Sequence, residues 1–285
     1  MRAAVQKEKG GMKMRLGLAF DPKAESPEAW AEELAGYGCK AASLPCDYKE
    51  DIHIIDRYRD AAKAHDIMIA EVGAWCNPLS PDPEVAKAAM ERCIEQLKLA
   101  DYIGAGCCCN ITGADGPVWD AYYPGNYSPE FYKKTVESLQ TIIDKAAPTR
   151  TVYAIEPMPW MVPSSPEEYL KLIDDVDSKY MGVHLDMVNW MNGFDRFHNQ
   201  HAFMDHVFEL LHGRIDSCHF KDCYLKQELT FEIKECPIGE GGFDIDYYVK
   251  KINEENPNLP LMIEHLETKE QYLKSMEFVK ARYYG

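Results

Sequence analysis

The chain has 285 residues, 46% of them hydrophobic and 27% charged, which is enough apolar material for one large core of the size of a (β/α) barrel. Its formal net charge of −16 argues against nucleic acid or an anionic membrane surface as partner, because both are bound by concentrated Lys and Arg. No run of about 18 apolar residues occurs, so no segment is expected to span a membrane.

The first fourteen residues, MRAAVQKEKGGMKM, are basic and interrupted by Gly, without the apolar centre of a signal sequence. A floppy leader is expected over residues 1–14 and a single domain over 15–285. Short apolar strand candidates follow at 15–20, 41–45, 67–75, 107–113, 151–158, 180–187, 215–223 and 260–266, separated by amphipathic helical stretches. Three of these stretches (SPEAWAEEL, SPEFYKKTV and SPEEYLKLI) place Ser at the N-cap, Pro at the first helical position and Glu in the first turn. Repeating βα units form a parallel sheet, and eight of them close into a barrel. The rival, an open doubly wound sheet, needs a glycine-rich phosphate loop after an early strand, and none is present. Behind the seventh strand, residues 224–242 form a long excursion in which LTFEIKE alternates like an additional strand. The PIGEGG run that closes it reads as a turn.

The ten cysteines follow no secretory framework, and Cys107, Cys108, Cys109 and Cys218 fall in strand-like runs. Buried, reduced thiols of a cytoplasmic protein are the expectation. Neighbouring strand residues point to opposite faces, so the Cys triplet cannot converge on one metal ion.

In such a barrel the chemistry sits at the C-terminal ends of the strands. The fifth strand ends near Glu156 (YAIEPMPW), the sixth near Asp186 (VHLDM), the seventh near His219 (SCHFKD) and the eighth near Glu264 (MIEHL). The intervals of 30, 33 and 45 residues approximate one βα unit each, the last lengthened by the excursion. Successive strand ends converge at the mouth, and three carboxylates there raise one another's pKa unless a cation intervenes. One divalent ion is therefore expected on Glu156, Asp186, His219 and Glu264. Carboxylates with one imidazole suit Mn²⁺ first, with Mg²⁺ or Co²⁺ as alternatives.

With these residues the chain resembles the xylose isomerase-like TIM barrels, which include sugar isomerases and epimerases, inosose dehydratases and type-IV AP endonucleases. The resemblance implies a (β/α)8 fold over residues 15–285 and the same four metal ligands. HFKD resembles the H-x-K-D of several members, and PIGEGGFD the P-x-G-x-G-x-x-D that often follows it. Ketose 3-epimerases of the family carry a second Glu two residues after the fifth-strand ligand and a His three residues after the sixth-strand ligand. Met158 and Asn189 stand at those positions here, which counts against a simple free-ketose epimerase. The acidic surface counts against an endonuclease.

A metal held in this way polarises a carbonyl and stabilises the enediolate left when an α-proton departs. The expected function is a divalent-metal-dependent isomerase or epimerase of a keto-sugar or sugar derivative. The alternatives are a lyase or dehydratase using the same enolate, and a non-catalytic sugar-binding or partner subunit. Glu156 and Glu264 are the expected proton-transfer groups. Lys221 is assigned to a developing oxyanion, and His184, in phase with Asp186, to the same interior. Substrate contacts are expected from Trp75, Trp160, Asn110, Asn189 and Glu71. His198, His201 and Asp205 have the spacing of a second metal site but read better as a solvated helix face. A small-molecule sugar is the expected ligand, and a homo-oligomer or a complex with a partner subunit the expected assembly.

Overall fold

Short apolar strands alternating with longer amphipathic helices have one economical arrangement, in which strands pair side by side and helices cover their outer faces. The computed structural model, which describes residues 14–283, takes that arrangement. Strands β1 (Arg15–Leu18), β2 (Ala41–Ser43), β3 (Met68–Gly73), β4 (Cys107–Asn110), β5 (Val152–Ile155), β6 (Met181–Asp186), β7 (Ile215–Phe220) and β10 (Pro260–Ile263) close into a parallel barrel. Helices α1 (Pro27–Tyr37), α2 (Ile52–Ala64), α3 (Pro83–Ile103), α4 (Pro129–Ala146), α5 (Pro166–Val176), α6 (Phe194–His198), α7 (Gln200–Leu210), α8 (Ile245–Glu255) and α9 (Lys269–Tyr283) surround it. The fold is a single-domain (β/α)8 barrel. The expected leader lies outside the described residues except for Met14, which is buried in the core. Among the described residues no helix is long and apolar enough to cross a membrane.

The three Ser-Pro-Glu signals act as caps. Ser26, Ser128 and Ser165 accept from the backbone N–H of Ala29, Phe131 and Glu168, each with Pro at the first helical position. Each such cap is worth about 1 kcal/mol. Inside the barrel, small side chains fill the first four strands. Ala41 and Ala70 pack with Met262, and Cys107 and Cys109 with Ala154, whereas Cys108 faces the surrounding helices. Gly17 is confined as well, because a Cβ there would stand 2.3 Å from the Ala41 carbonyl oxygen.

Two register shifts prepare the site. One lies between β2 and β3 at Ala42/Ser43 and sets Ser43 opposite Glu71. The other lies between β6 and β7 at Val183/His184, setting His184 opposite Ser217 and Asp186 opposite His219. An extra residue in one strand re-aims the side chains beyond it, which is why such irregularities gather near sites.

Some boundaries differ from expectation. The seventh strand stops at Phe220 instead of 223, and the chain reverses through an antiparallel hairpin of β8 (Asp222–Lys226) and β9 (Glu232–Cys236). Lys221 leaves the strand to meet carboxylates in the interior. Asp222 accepts backbone N–H bonds from Cys223, Gly239 and Gly241, so the PIGEGG turn folds over its carboxylate. The expected stretch between β6 and β7 is two helices, α6 and α7, broken at Asn199.

Candidate active site

Each strand end delivers its polar residue to one place. His219 Nδ1 lies 2.7 Å from Glu264 Oε1, 3.2 Å from Glu156 Oε1 and 3.8 Å from Asp186 Oδ2. One donor atom from each of the four falls within 4.8 Å of the others. Glu156 is 5% exposed, Asp186 0%, His219 2% and Glu264 9%, so the charges interact with little water between them. Asp186 Oδ2 and Glu264 Oε1 are buried without a well-directed hydrogen bond. Three carboxylates and one imidazole nitrogen gathered this closely form a donor set that fits a hard divalent cation.

Lys221 is the cation already in place. Its ammonium lies 2.7 Å from Asp186, 2.9 Å from Glu235 on β9 and 3.5 Å from Glu264. Burial pushes the Lys221 amine down, but Asp186, Glu264 and Glu235 outweigh it and hold it well above its ordinary value. Burial opposes charge on Asp186 too, yet Lys221 and His219 keep that carboxyl well below its ordinary range. Glu156 is pushed up to about 7 by burial and by Glu264 and Asp186, with His219 pulling the other way. For His219, burial is likewise overcome, here by Glu264, Glu156 and Glu71, and the imidazole sits well above its usual value.

A second polar layer lies beneath the first. Glu71 accepts from Ser217 at 2.7 Å and from Ser43 at 3.1 Å, the partners supplied by the two register shifts. His184 Nε2 meets His219 Nε2 at 2.9 Å, with the rings edge-on. His219 thus shows one nitrogen to the carboxylates and the other to His184, which can fix its tautomer. Burial, then His219, lower His184 to about 4, and Glu71 is drawn down to about 2 by the facing imidazoles and Ser217 against its burial.

Above both layers opens a cavity of about 420 Å³. Glu71, Glu156, His219 and Glu264 reach it from below, and Phe20, Trp75, Trp119 and Met158 form walls. Asp186, His184, Lys221 and Asn189 do not line it. His184 is wholly buried, so it stands out of reach of a substrate hydroxyl. Asn189 instead joins the site internally: its Nδ2 donates to Glu156 at 3.0 Å, its Oδ1 accepts from Lys221 at 2.8 Å, and its N–H donates to Asp186 at 2.9 Å. Asn110 points away from the cavity to bond Cys76, Cys93 and Tyr153, because it alternates with the inward Cys109. Trp160 is 40% exposed and bonds the carbonyl of Asp120, a cavity-lining residue, without lining the cavity itself.

His198, His201 and Asp205 do not come together. His198 stacks on Phe194, His201 pairs with Asp244 at 2.7 Å, and Asp205 pairs with Lys251 at 3.0 Å. Lys221 is not paired with its neighbour Asp222, whose carboxylate is held by backbone donors. Several site residues went unread in the sequence. Glu235 and His265, 3.1 Å apart, carry no spacing signal, although Glu235 belongs to the alternating LTFEIKE and His265 adjoins Glu264. Trp119 and Asp120 sit in an irregular loop without periodicity.

The fold, as a whole, recurs among solved structures at low sequence identity. D-psicose 3-epimerase with D-tagatose, from Clostridium cellulolyticum H10, superposes with a TM-score of 0.71 at 13% identity, over 95% of this chain and 98% of that one. A probable 3-DHS dehydratase, AsbF, involved in petrobactin synthesis in Bacillus anthracis, gives 0.71 at 15% identity, over 94% and 98%. A xylose isomerase-like TIM barrel protein from Mycobacterium smegmatis, in complex with magnesium, gives 0.65 at 14% identity, over 94% and 95%. Among curated proteins none matches the chain. The family model for the xylose isomerase-like TIM barrel matches residues 31–282, and with the closed parallel barrel this places the chain in that family.

Proposed function

We propose that the protein is a divalent-metal-dependent isomerase or epimerase that moves a proton α to the carbonyl of a keto-sugar or sugar derivative. The observation that carries this reading is the division among the clustered carboxylates. Glu156 and Glu264 face the cavity, whereas Asp186 is locked beneath them by Lys221 and Asn189. Glu156, Asp186, His219 and Glu264 would hold the ion, with Mn²⁺ as the first candidate and Mg²⁺ or Co²⁺ as alternatives. When bound, a divalent ion supplies Lewis acidity for a carbonyl and a neighbouring hydroxyl.

The chain's own residues supply the rest. A carboxylate with one oxygen engaged and the other turned to the cavity can take or return a proton. We assign abstraction to Glu264 and return to Glu156, the two carboxylates of the cluster that face the cavity. Lys221 keeps Asp186 ionised and has no access to the cavity, so its part is to balance charge beneath the substrate. Trp75 and Trp119 offer flat apolar faces that suit a sugar ring and exclude water.

A second reading keeps the proton abstraction and ends in loss of a β-leaving group. Met158 favours it, because the cavity wall there carries a thioether and no further carboxylate to serve a symmetric proton exchange. Candidate keto-sugars incubated with the Mn²⁺-loaded protein in D₂O distinguish the two. Deuterium in recovered substrate or an epimer supports the first, and a dehydrated or cleaved product the second. No exchange and no product with any sugar would leave a non-catalytic sugar-binding or partner subunit. Within the first reading, Glu264→Asp should retain metal and lose about 10²–10⁴ in exchange rate, since the shortened side chain withdraws the base.

A further inference from the structure

The connection between β3 and α3 holds two cysteines that the chemistry above does not use. Cys76, partly exposed in that connection, and Cys93, buried on α3, bring their sulfurs to 3.5 Å. Asn110 holds both. Its Oδ1 accepts from the Cys76 N–H at 3.1 Å, and its Nδ2 donates to the Cys76 carbonyl at 3.1 Å and to the Cys93 sulfur at 3.4 Å. Asn110 is itself fully buried, so this clamp is part of the packed interior. Cys76 opens on a cavity of about 580 Å³ shared with Asn77, Arg92 and Trp119, and Trp119 also walls the active-site cavity. The residue before Cys76 is Trp75, another wall of that cavity, held at a φ of 40° that a bulky side chain rarely adopts.

We propose that Cys76 and Cys93 form a reversible disulfide on exposure to peroxide, tying the Trp75 wall of the active-site cavity to α3. Peroxide reaches the Cys76 sulfur from its cavity. A sulfur–oxygen bond forms, the oxygen–oxygen bond breaks, and the departing oxygen leaves as water with the thiol proton. The Cys93 sulfur then attacks the sulfenic sulfur, the sulfur–oxygen bond breaks, and a second water leaves with the Cys93 proton. Two thiols and one peroxide become one disulfide and two waters. Cys93 suits the resolving role by its place: its sulfur already lies 3.5 Å from that of Cys76, and, unlike Cys76, it is buried and does not line the cavity through which peroxide would arrive. Closing the gap from 3.5 Å to the roughly 2.05 Å of a disulfide brings the two sulfurs about 1.5 Å nearer.

The test uses the full-length protein, treated with hydrogen peroxide, alkylated and digested without reduction. A linked Cys76–Cys93 peptide pair that disappears on treatment with a thiol reductant is the expected product. Cys76→Ser should abolish the link. Cys93→Ser should leave Cys76 as a sulfenic acid that a dimedone probe captures, and because Cys76 is partly exposed its own variant remains informative if Cys93→Ser misfolds. Oxidation should also shift the tryptophan emission of the parent protein, and by less in Trp75→Phe, where only Trp119 remains beside the Cys76 cavity. Progress of Cys76 to sulfinic acid without a link, links confined to other pairs such as Cys107–Cys109, or thiols that all resist peroxide would overturn the proposal.

Discussion

The barrel's two arcs are made from the same βα unit and carry opposite contents. Along β5, β6, β7 and β10 the strand ends hold Glu156, Asp186, His219 and Glu264, crowded against Lys221. Along β1 to β4 the interior is Gly17, Ala41, Ala70, Cys107 and Cys109, with Glu71 as the buried carboxylate. Small neutral side chains leave room for a ligand, and the crowded charges of the other arc gather donors for an ion. Most residues lining the active-site cavity accordingly follow β1 to β4, while the charged arc forms part of its floor. Ion binding and substrate packing are thereby separable properties, which substitutions on each arc can test.

The largest effect should come from the charged arc. Asp186→Ala and His219→Ala are expected to remove the bound ion and lower turnover by at least about 10³-fold, the several kcal/mol that a Lewis-acid ion supplies. Metal analysis and circular dichroism should show loss of the ion with the fold retained, and stoichiometric metal in both variants would break the assignment. Replacing residues 224–235 with a short Gly-Ser turn removes Glu235 from Lys221. About a tenfold loss in kcat/KM or a changed oligomer is expected, with little change in Tm, because loops of this length tend to be functional or interfacial.

On the small-residue arc, Trp75→Ala should raise KM by about 3–10-fold, the scale of one aromatic contact, and leave metal content unchanged. A fall in metal content there would mean the arcs are not independent. The smallest effect concerns Asp216, low on β7, where burial raises the carboxyl from 3.8 to about 7 against one bond from the Val183 N–H. A carboxyl with a folded pKa above its unfolded one binds extra protons when folded. Its contribution is therefore favourable below the unfolded value and is lost as pH rises from about 4 to about 7. Asp216→Asn should flatten that slope and stabilise the protein near neutral pH by about 1 kcal/mol, as read by denaturant titration across pH.

Much of the fold was legible because it rests on local rules. Ser26, Ser128 and Ser165 cap their helices as their Ser-Pro-Glu contexts indicate, and the period-two strands land within a few residues of expectation. The four-residue cluster was legible for a related reason: strand ends one βα unit apart must meet at the mouth of a closed barrel. What could not be read depends on register. The shift at Val183/His184 determines that His184 lies under His219, and alternation alone could not place it there. Asn110 shows the complementary failure, since a polar residue ending a strand faces the cavity or the helices according to the parity of the strand. Glu235 arrives from a hairpin whose approach to Lys221 is a tertiary event with no spacing rule.

The ammonium of Lys221 bears on how such a protein matures. A cluster of buried carboxylates ordinarily opposes collapse of the chain around it. Here the lysine is encoded two residues from His219 and lies against Asp186, Glu235 and Glu264. The polypeptide carries its own counter-charge from synthesis, so reaching the native state does not have to wait for a supply of metal. Folding and ion binding would then be separable, and refolding with and without a chelator should give the same yield of native protein.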